Sequence, residues 1–249
     1  MYICVGLVLV FRHIFKPRNV SGHSKKRHPK RMQIENLEII IGEFKAKSEP
    51  TDRYTSFDYC HNYFKTTENF QKDLEKSCLV LGFYLASWGM LRGSSFLLQK
   101  SVKHLQPIIE YYSTLDKEIW EIDIDDYSEK NILKITEIYH NSKELIIDKN
   151  NSHLTLVTKI LLGVFGFIPA FDQYFCKTFK TVFDNKCGFT TVNSKSLNFL
   201  AEFYSNNQLE IDKISKNTFT TDFITGTKTN INYPKAKIVD MFGFTQGLK

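Results

Sequence analysis

The sequence predicts an all-α fold, a single globular helical domain over residues 33–249 with an aromatic-rich core. Three observations carry that prediction. Apolar residues recur at helical spacing along most of the chain, as with Ile132, Ile135, Tyr139 and Leu145. No run of alternating residues is long enough for a substantial sheet. The 21 Phe and 12 Tyr of this 249-residue chain supply large rings for one sizeable core.

Taken in order, residues 34–45 read as a short amphipathic helix, followed by the polar loop KSEPTDRYT. SFDYCHNYF begins a second helix, and Thr66 or Thr67 is placed to cap a third that runs through ENFQKDLEKSCLVLGFYLASW. A helix is expected over about 94–112. Asp125 or Asp126 then caps the one that carries Ile132 to Leu145. Two more are expected over about 153–164 and 169–183, with Pro169 in the first turn of the latter, where its missing N–H costs nothing. Asn193 or Ser194 caps NSKSLNFLAEFYSNN, and residues 235–244 make a last short helix. The polar stretch between them, SKNTFTTDFITGTKTNINYP, has room for a small hairpin.

The formal charge of +6 is unevenly distributed. Residues 1–32 hold Arg12, Lys16, Arg18, Lys25, Lys26, Arg27, Lys30 and Arg31 with no acid, and removing these eight from the 33 cations leaves 25 against 27 acids. Electrostatic attraction to a polyanion therefore rests on the tail or on a local patch. The apolar run from Tyr2 to Phe11 is about half the ~20 residues that span a bilayer, so no integral membrane segment is expected. It has neither the basic start nor the cleavage site of a signal peptide. Residues 1–32 read as a flexible basic extension. They are either an upstream stretch before Met32 without structural role or an arm for a membrane surface or nucleic acid.

Five cysteines, Cys4, Cys60, Cys78, Cys176 and Cys187, contain no C-x-x-C pair, and no histidine spacing suits a metal. That pattern predicts a reducing cytoplasm with no disulfide framework, metal or cofactor. TGTKT, residues 225–229, lacks the first glycine and the adjacent Gly-Lys of a phosphate-binding loop, Cys60-His61 reads as core packing, and IDIDDY reads as a helix cap in water.

Two stretches place polar groups in apolar surroundings. In YLASWGMLRGSSFLLQ two apolar segments meet at Gly89 and Gly93. Arg92, Ser94 and Ser95 at that junction, with Trp88 beside them, form either an anion-binding helix start or a tight turn in which Ser94 caps and Arg92 pairs with a core carboxylate. In TKILLGVFGFIPAFDQYF, Lys159 and Asp172 flank a glycine- and proline-containing break. They are candidate catalytic residues, or a snorkelling lysine and a carboxylate favoured by the helix dipole. Lys237 and Asp240 complete the candidate ligand-binding set, and Arg92, Lys159, Asp172 and Asp240 are expected to converge on one cleft.

The Lys159 to Asp172 pattern resembles the helix-hairpin-helix DNA glycosylase superfamily. That resemblance implies a Gly163 to Gly166 hairpin touching DNA phosphate through backbone amides and Asp172 supporting chemistry at a flipped nucleotide, although Gly-x-Gly is here Gly163-Val164-Phe165-Gly166. FYLASWGMLRGSSFLLQ, TKILLGVFGFIPAFD and YPKAKIVDMFGF together resemble a family of uncharacterised bacterial proteins about as long as residues 33–249, which implies no activity. Two functions fit these residues. One is recognition of nucleic acid or a nucleotide, with glycosylase- or nuclease-like chemistry, and the other is a non-enzymatic helical interaction module.

Overall fold

Three of the α-helices start on a side chain that accepts from amides the helix leaves free. Ser128 accepts from the amide of Asn131 at 3.3 Å, and Asn193 and Ser196 form a reciprocal capping box. Asp172 accepts from the amides of Tyr174 and Phe175, both at 3.0 Å. A computed structural model describes residue 34, residues 36–148 and residues 151–249. Ten α-helices run through them: α1 Leu37–Lys45, α2 Ser56–Thr66, α3 Leu74–Ser87, α4 Gln106–Ser113, α5 Glu129–Ile146, α6 Leu154–Val164, α7 Gln173–Val182, α8 Ser194–Asn206, α9 Gln208–Asn217 and α10 Lys235–Leu248. The hairpin expected in the polar stretch forms from β1 Phe219–Thr221 and β2 Lys228–Asn232, paired antiparallel, and among the described residues it is the only sheet. The mostly helical fold class follows as the sequence predicts. The expected extension over residues 1–32 lies outside the described residues.

Several boundaries differ from expectation, each for a local reason. Asn69, not Thr66 or Thr67, caps the chain before α3, through the amides of Gln71 and Lys72. The helix expected over 94–112 breaks into two 3₁₀ turns, Phe96–Gln99 and Val102–Leu105, before α4, whose Pro107 sits in the first turn. Ser128 rather than Asp125 or Asp126 caps α5. Asp123 of that acidic stretch instead accepts from the amides of Lys235 and Ala236, at 2.6 and 2.9 Å, so it caps α10 across the fold. Pro169 lies in the loop before α7, and Asp172 is the N-cap itself.

α10 and α7 form the central crossing, and glycine makes it close. A Cβ at Gly247 would collide with the backbone of Tyr174, and one at Gly243 would strike the ring of Phe175. Thr178 donates to the carbonyl of Gly243 at 2.8 Å across the same seam. α10 also packs on α1 and α9, while α6 packs on α2, α3 and α5. The buried apolar side chains form one continuous cluster rich in Phe and Tyr. The hairpin base is tied to α2: Asp58 accepts from the amide of Thr221 at 2.9 Å and from the hydroxyl of Tyr233, and Asn62 donates to the carbonyl of Thr221 at 2.9 Å. Among the described residues, no helix is long and apolar enough to cross a membrane.

His61 of α2 is 1% exposed, stacks on Phe57 and has no hydrogen-bond partner for its Nδ1. Burial, with Lys65 nearby, pushes its imidazole down to about 3. The folded state therefore refuses a proton that the unfolded chain takes up below about pH 6.5. Its stability contribution is present above pH 6.5 and is lost progressively as pH falls toward 3. Urea unfolding at pH 7.5 and 5.0 should show a smaller acid loss in His61→Phe than in the wild type, and equal losses would show that His61 does not carry this dependence.

Candidate functional site

A cleft of about 760 Å³ opens where five parts of the chain meet. These are the loop after α1, the C-terminal end of α3 with its turn, the face of α6 carrying Thr155 and Lys159, the start of α7, and the end of α10.

Its aromatic wall is a stack. Phe44, Tyr54 and Trp88 lie parallel within 16°, with centroids 4.6 Å apart for Phe44 and Tyr54 and 5.2 Å for Tyr54 and Trp88. Phe244 stands nearly perpendicular to all three, at 5.8–6.2 Å. Offset stacked and edge-to-face arrangements are the favourable ring geometries, so the four rings form a firm surface. Tyr54 and Tyr174 remain partly exposed to the cleft.

Beneath the wall lie two ion pairs. Lys159 Nζ is 3.1 Å from Asp172 Oδ2, and both residues line the cleft although only 5% and 8% exposed. Asp172 Oδ1 is already committed to the start of α7, so the pair is fixed from both sides. One layer deeper, Lys237 Nζ is 2.7 Å from Asp240 Oδ2, and Asp240 Oδ1 accepts from the amide of Ala170 at 3.0 Å. The Lys237 ammonium lies 4.7 Å from the ring centre of Phe57, 4.9 Å from Trp88 and 5.1 Å from Phe44, while Lys159 lies 5.0 Å from Trp88. Desolvated cation–π contacts contribute about 2 kcal/mol, which offsets part of the cost of burying each charge.

The rim differs in kind. Lys47, Arg53 and Arg92 are exposed, line the cleft, and among the described residues have no carboxylate within ion-pair distance. The Arg53 guanidinium lies 5.1 Å from the Tyr54 ring centre. The Arg92 side chain folds over Gly89, whose φ of +77° suits glycine, and a Cβ there would come within 2.7 Å of Arg92 Nε. Asp52, the one carboxylate on this rim, accepts from the amide of Glu49 at 3.0 Å. The arrangement offers free cations beside aromatic faces, a combination that holds an anion carrying a planar group.

The candidates from the sequence divide accordingly. Lys159, Asp172, Trp88 and Arg92 come together at the cleft. Lys237 and Asp240 do not reach it, because they are buried behind Trp88. Ser94 is exposed outside it, and the Ser95 hydroxyl is engaged within its own turn, accepting from the amide of Leu97 and donating to the carbonyl of Met90 at 2.5 Å. Among the described residues Arg92 pairs with no core carboxylate. The segment likened to a DNA-binding hairpin is internal: residues 156–172 are all buried, Gly163 packs on Tyr84, and the amides of Ala170 and Phe171 are taken by Asp240 and Thr158. Lys47, Arg53, Tyr54, Tyr174 and Phe244 were not among the candidates. The Arg53-Tyr54 dipeptide, a cation beside a ring in a polar loop, was the signal available for two of them.

Neither a protein-family model, nor a curated protein, nor a solved structure matches this chain. The chemistry of the cleft is therefore the basis for any reading of it.

The buried and rim charges should respond differently to removal. Asp240→Asn weakens the partner of a buried ammonium and should cost about 3–5 kcal/mol in denaturant unfolding, whereas Arg92→Ala, exposed and unpaired, should change stability by no more than about 0.5 kcal/mol. Similar costs for the two would mean that Arg92 is part of the structural framework.

Proposed function

We propose that the cleft recognises a nucleotide, free or within a nucleic acid. Arg53, Arg92 and Lys47 take the phosphate, and the base lies against the exposed aromatic edge of the wall. The observation that carries this reading is a set of three unpaired cations lining the cleft that Tyr54 and Trp88 also line, with the Arg53 guanidinium 5.1 and 5.9 Å from those two ring centres. The buried Lys159 and Lys237 are each paired with an aspartate; these three are not, among the described residues. Arginine suits phosphate through its planar fork of donors, and aromatic faces accept any base.

The engagement of Asp172 favours binding over a hydrolytic step. A carboxylate that activates water, or supports a developing sugar cation, needs a lone pair directed at the substrate. Both oxygens of Asp172 have partners within the protein, at 3.0 and 3.1 Å. The alternative, a helical interaction module, draws on Leu79 and Phe83, exposed one turn apart on α3.

Titration with AMP, ATP and inorganic phosphate, read by intrinsic fluorescence and thermal shift, tests the reading. The wild type should bind the nucleotides more tightly than phosphate. Arg53→Ala/Arg92→Ala should lose at least tenfold in affinity while unfolding at the same temperature. No binding by the wild type, or full binding by the double variant, would reject this site and leave the interaction module as the better reading.

A further inference from the structure

We infer that the ligand is a single-stranded nucleic acid whose path leaves the cleft along the loop of residues 47–53 and crosses the hairpin tip, where Phe223 provides a second stacking platform. The inference rests on the nucleotide reading of the cleft and extends it to a class of polymer.

The tip is a surface a folded protein does not leave bare without consequence. Phe223 is 75% and Ile224 89% exposed, side by side at the end of the hairpin. The turn that presents them is held in shape: Asp222 Oδ1 accepts from the amides of Ile224 and Thr225, at 3.1 and 2.8 Å, and from the Thr225 hydroxyl at 2.9 Å. The base is held as well, since Thr220 donates to Asn62 Oδ1 at 2.7 Å and Asp58 accepts from Thr221. A preformed aromatic platform orders little further on binding, which is the condition under which stacking contributes affinity.

The tip is also continuous with the cleft wall. Gly226 lies against the ring of Pro50. Tyr59 joins the two loops, its ring edge-on to Phe223 with centroids 5.0 Å apart and its hydroxyl donating to the carbonyl of Pro50 at 2.6 Å. From Pro50 to Arg53 the chain can extend no more than about 10 Å, so platform and rim cations are near neighbours. The charges along this path favour a polyanion. Lys47, Arg53 and Lys228 are exposed and unpaired among the described residues, while Asp52 and Asp222 are turned back onto backbone amides, leaving Glu49 as the acid facing outward. Cations that follow a backbone, interleaved with rings that take bases, are the working parts of a single-strand binding surface.

Calorimetric titration at low salt with TMP, UMP, dT4 and U4 tests this. For the wild type, dT4 or U4 should bind on the order of tenfold more tightly than the matching mononucleotide, the gain expected from one added base stack. Phe223→Ala should abolish that gain, leave mononucleotide affinity unchanged and unfold at the wild-type temperature, because the side chain it removes is exposed. Phe223→Trp should retain the gain. Equal affinity for monomer and tetramer in the wild type, or a gain that survives in Phe223→Ala, would overturn the inference while the mononucleotide reading stands. Absence of binding by every probe would overturn both.

Discussion

The structure around the cleft depends on two buried ammonium groups that share one indole. Lys159 and Lys237 both lie about 5 Å from the ring centre of Trp88. Each charge, removed from water, is tolerable only with its own counter-charge, and each has one. The remaining oxygen of each aspartate is spent on backbone. Asp172 opens α7, and Asp240 of α10 holds Ala170 in the connection between α6 and α7. The position of α10 against that connection and the position of Trp88 in the cleft wall are thus set by the same four side chains. Removing one charge would disturb both.

That constraint separates two populations of charge within one small region. Behind and beneath the aromatic wall, Lys159 and Lys237 each have an aspartate. On the rim, Lys47, Arg53 and Arg92 have none among the described residues, and solvent makes their exposure cheap. Their gathering on one cleft, with Arg53 beside the Tyr54 and Trp88 rings, is what the functional reading draws on. Anchoring of the hairpin through Asp58, Asn62 and Tyr233 belongs to the same logic, since a rigid base lets the tip present apolar side chains to solvent.

The helices were legible in the sequence because their apolar spacing is local information. Their ends were less so: Asn69, Ser128 and Asp123 each compete with neighbours of the same chemistry, and only Asp123 finds its amides more than a hundred residues away. Lys159 and Asp172 stood out as charges in an apolar run, and the structure does join them. Lys237 and Asp240 were also visible, but their depth behind Trp88 depends on how α10 crosses α7 over Gly243 and Gly247, a tertiary fact. Arg92 also reaches the cleft, but from its exposed side. Its apolar neighbours suggest burial, yet the left-handed turn at Gly89 carries it out to the rim. The loop holding Arg53 and Tyr54 read as polar connection because nothing in its pattern says that it folds against Trp88.

The central claim is that Lys159 and Asp172 form a structural pair at the floor of the cleft, with recognition left to the rim. A double-mutant cycle on Lys159→Met and Asp172→Asn, measured by urea unfolding, tests it most directly, because the asparagine keeps an acceptor for the start of α7 while losing the charge. The account predicts a coupling free energy of at least about 1 kcal/mol, with the double variant less destabilised than the sum of its parts. Single-variant effects that add to within about 0.3–0.5 kcal/mol would contradict it, showing that the two charges act independently in the folded protein.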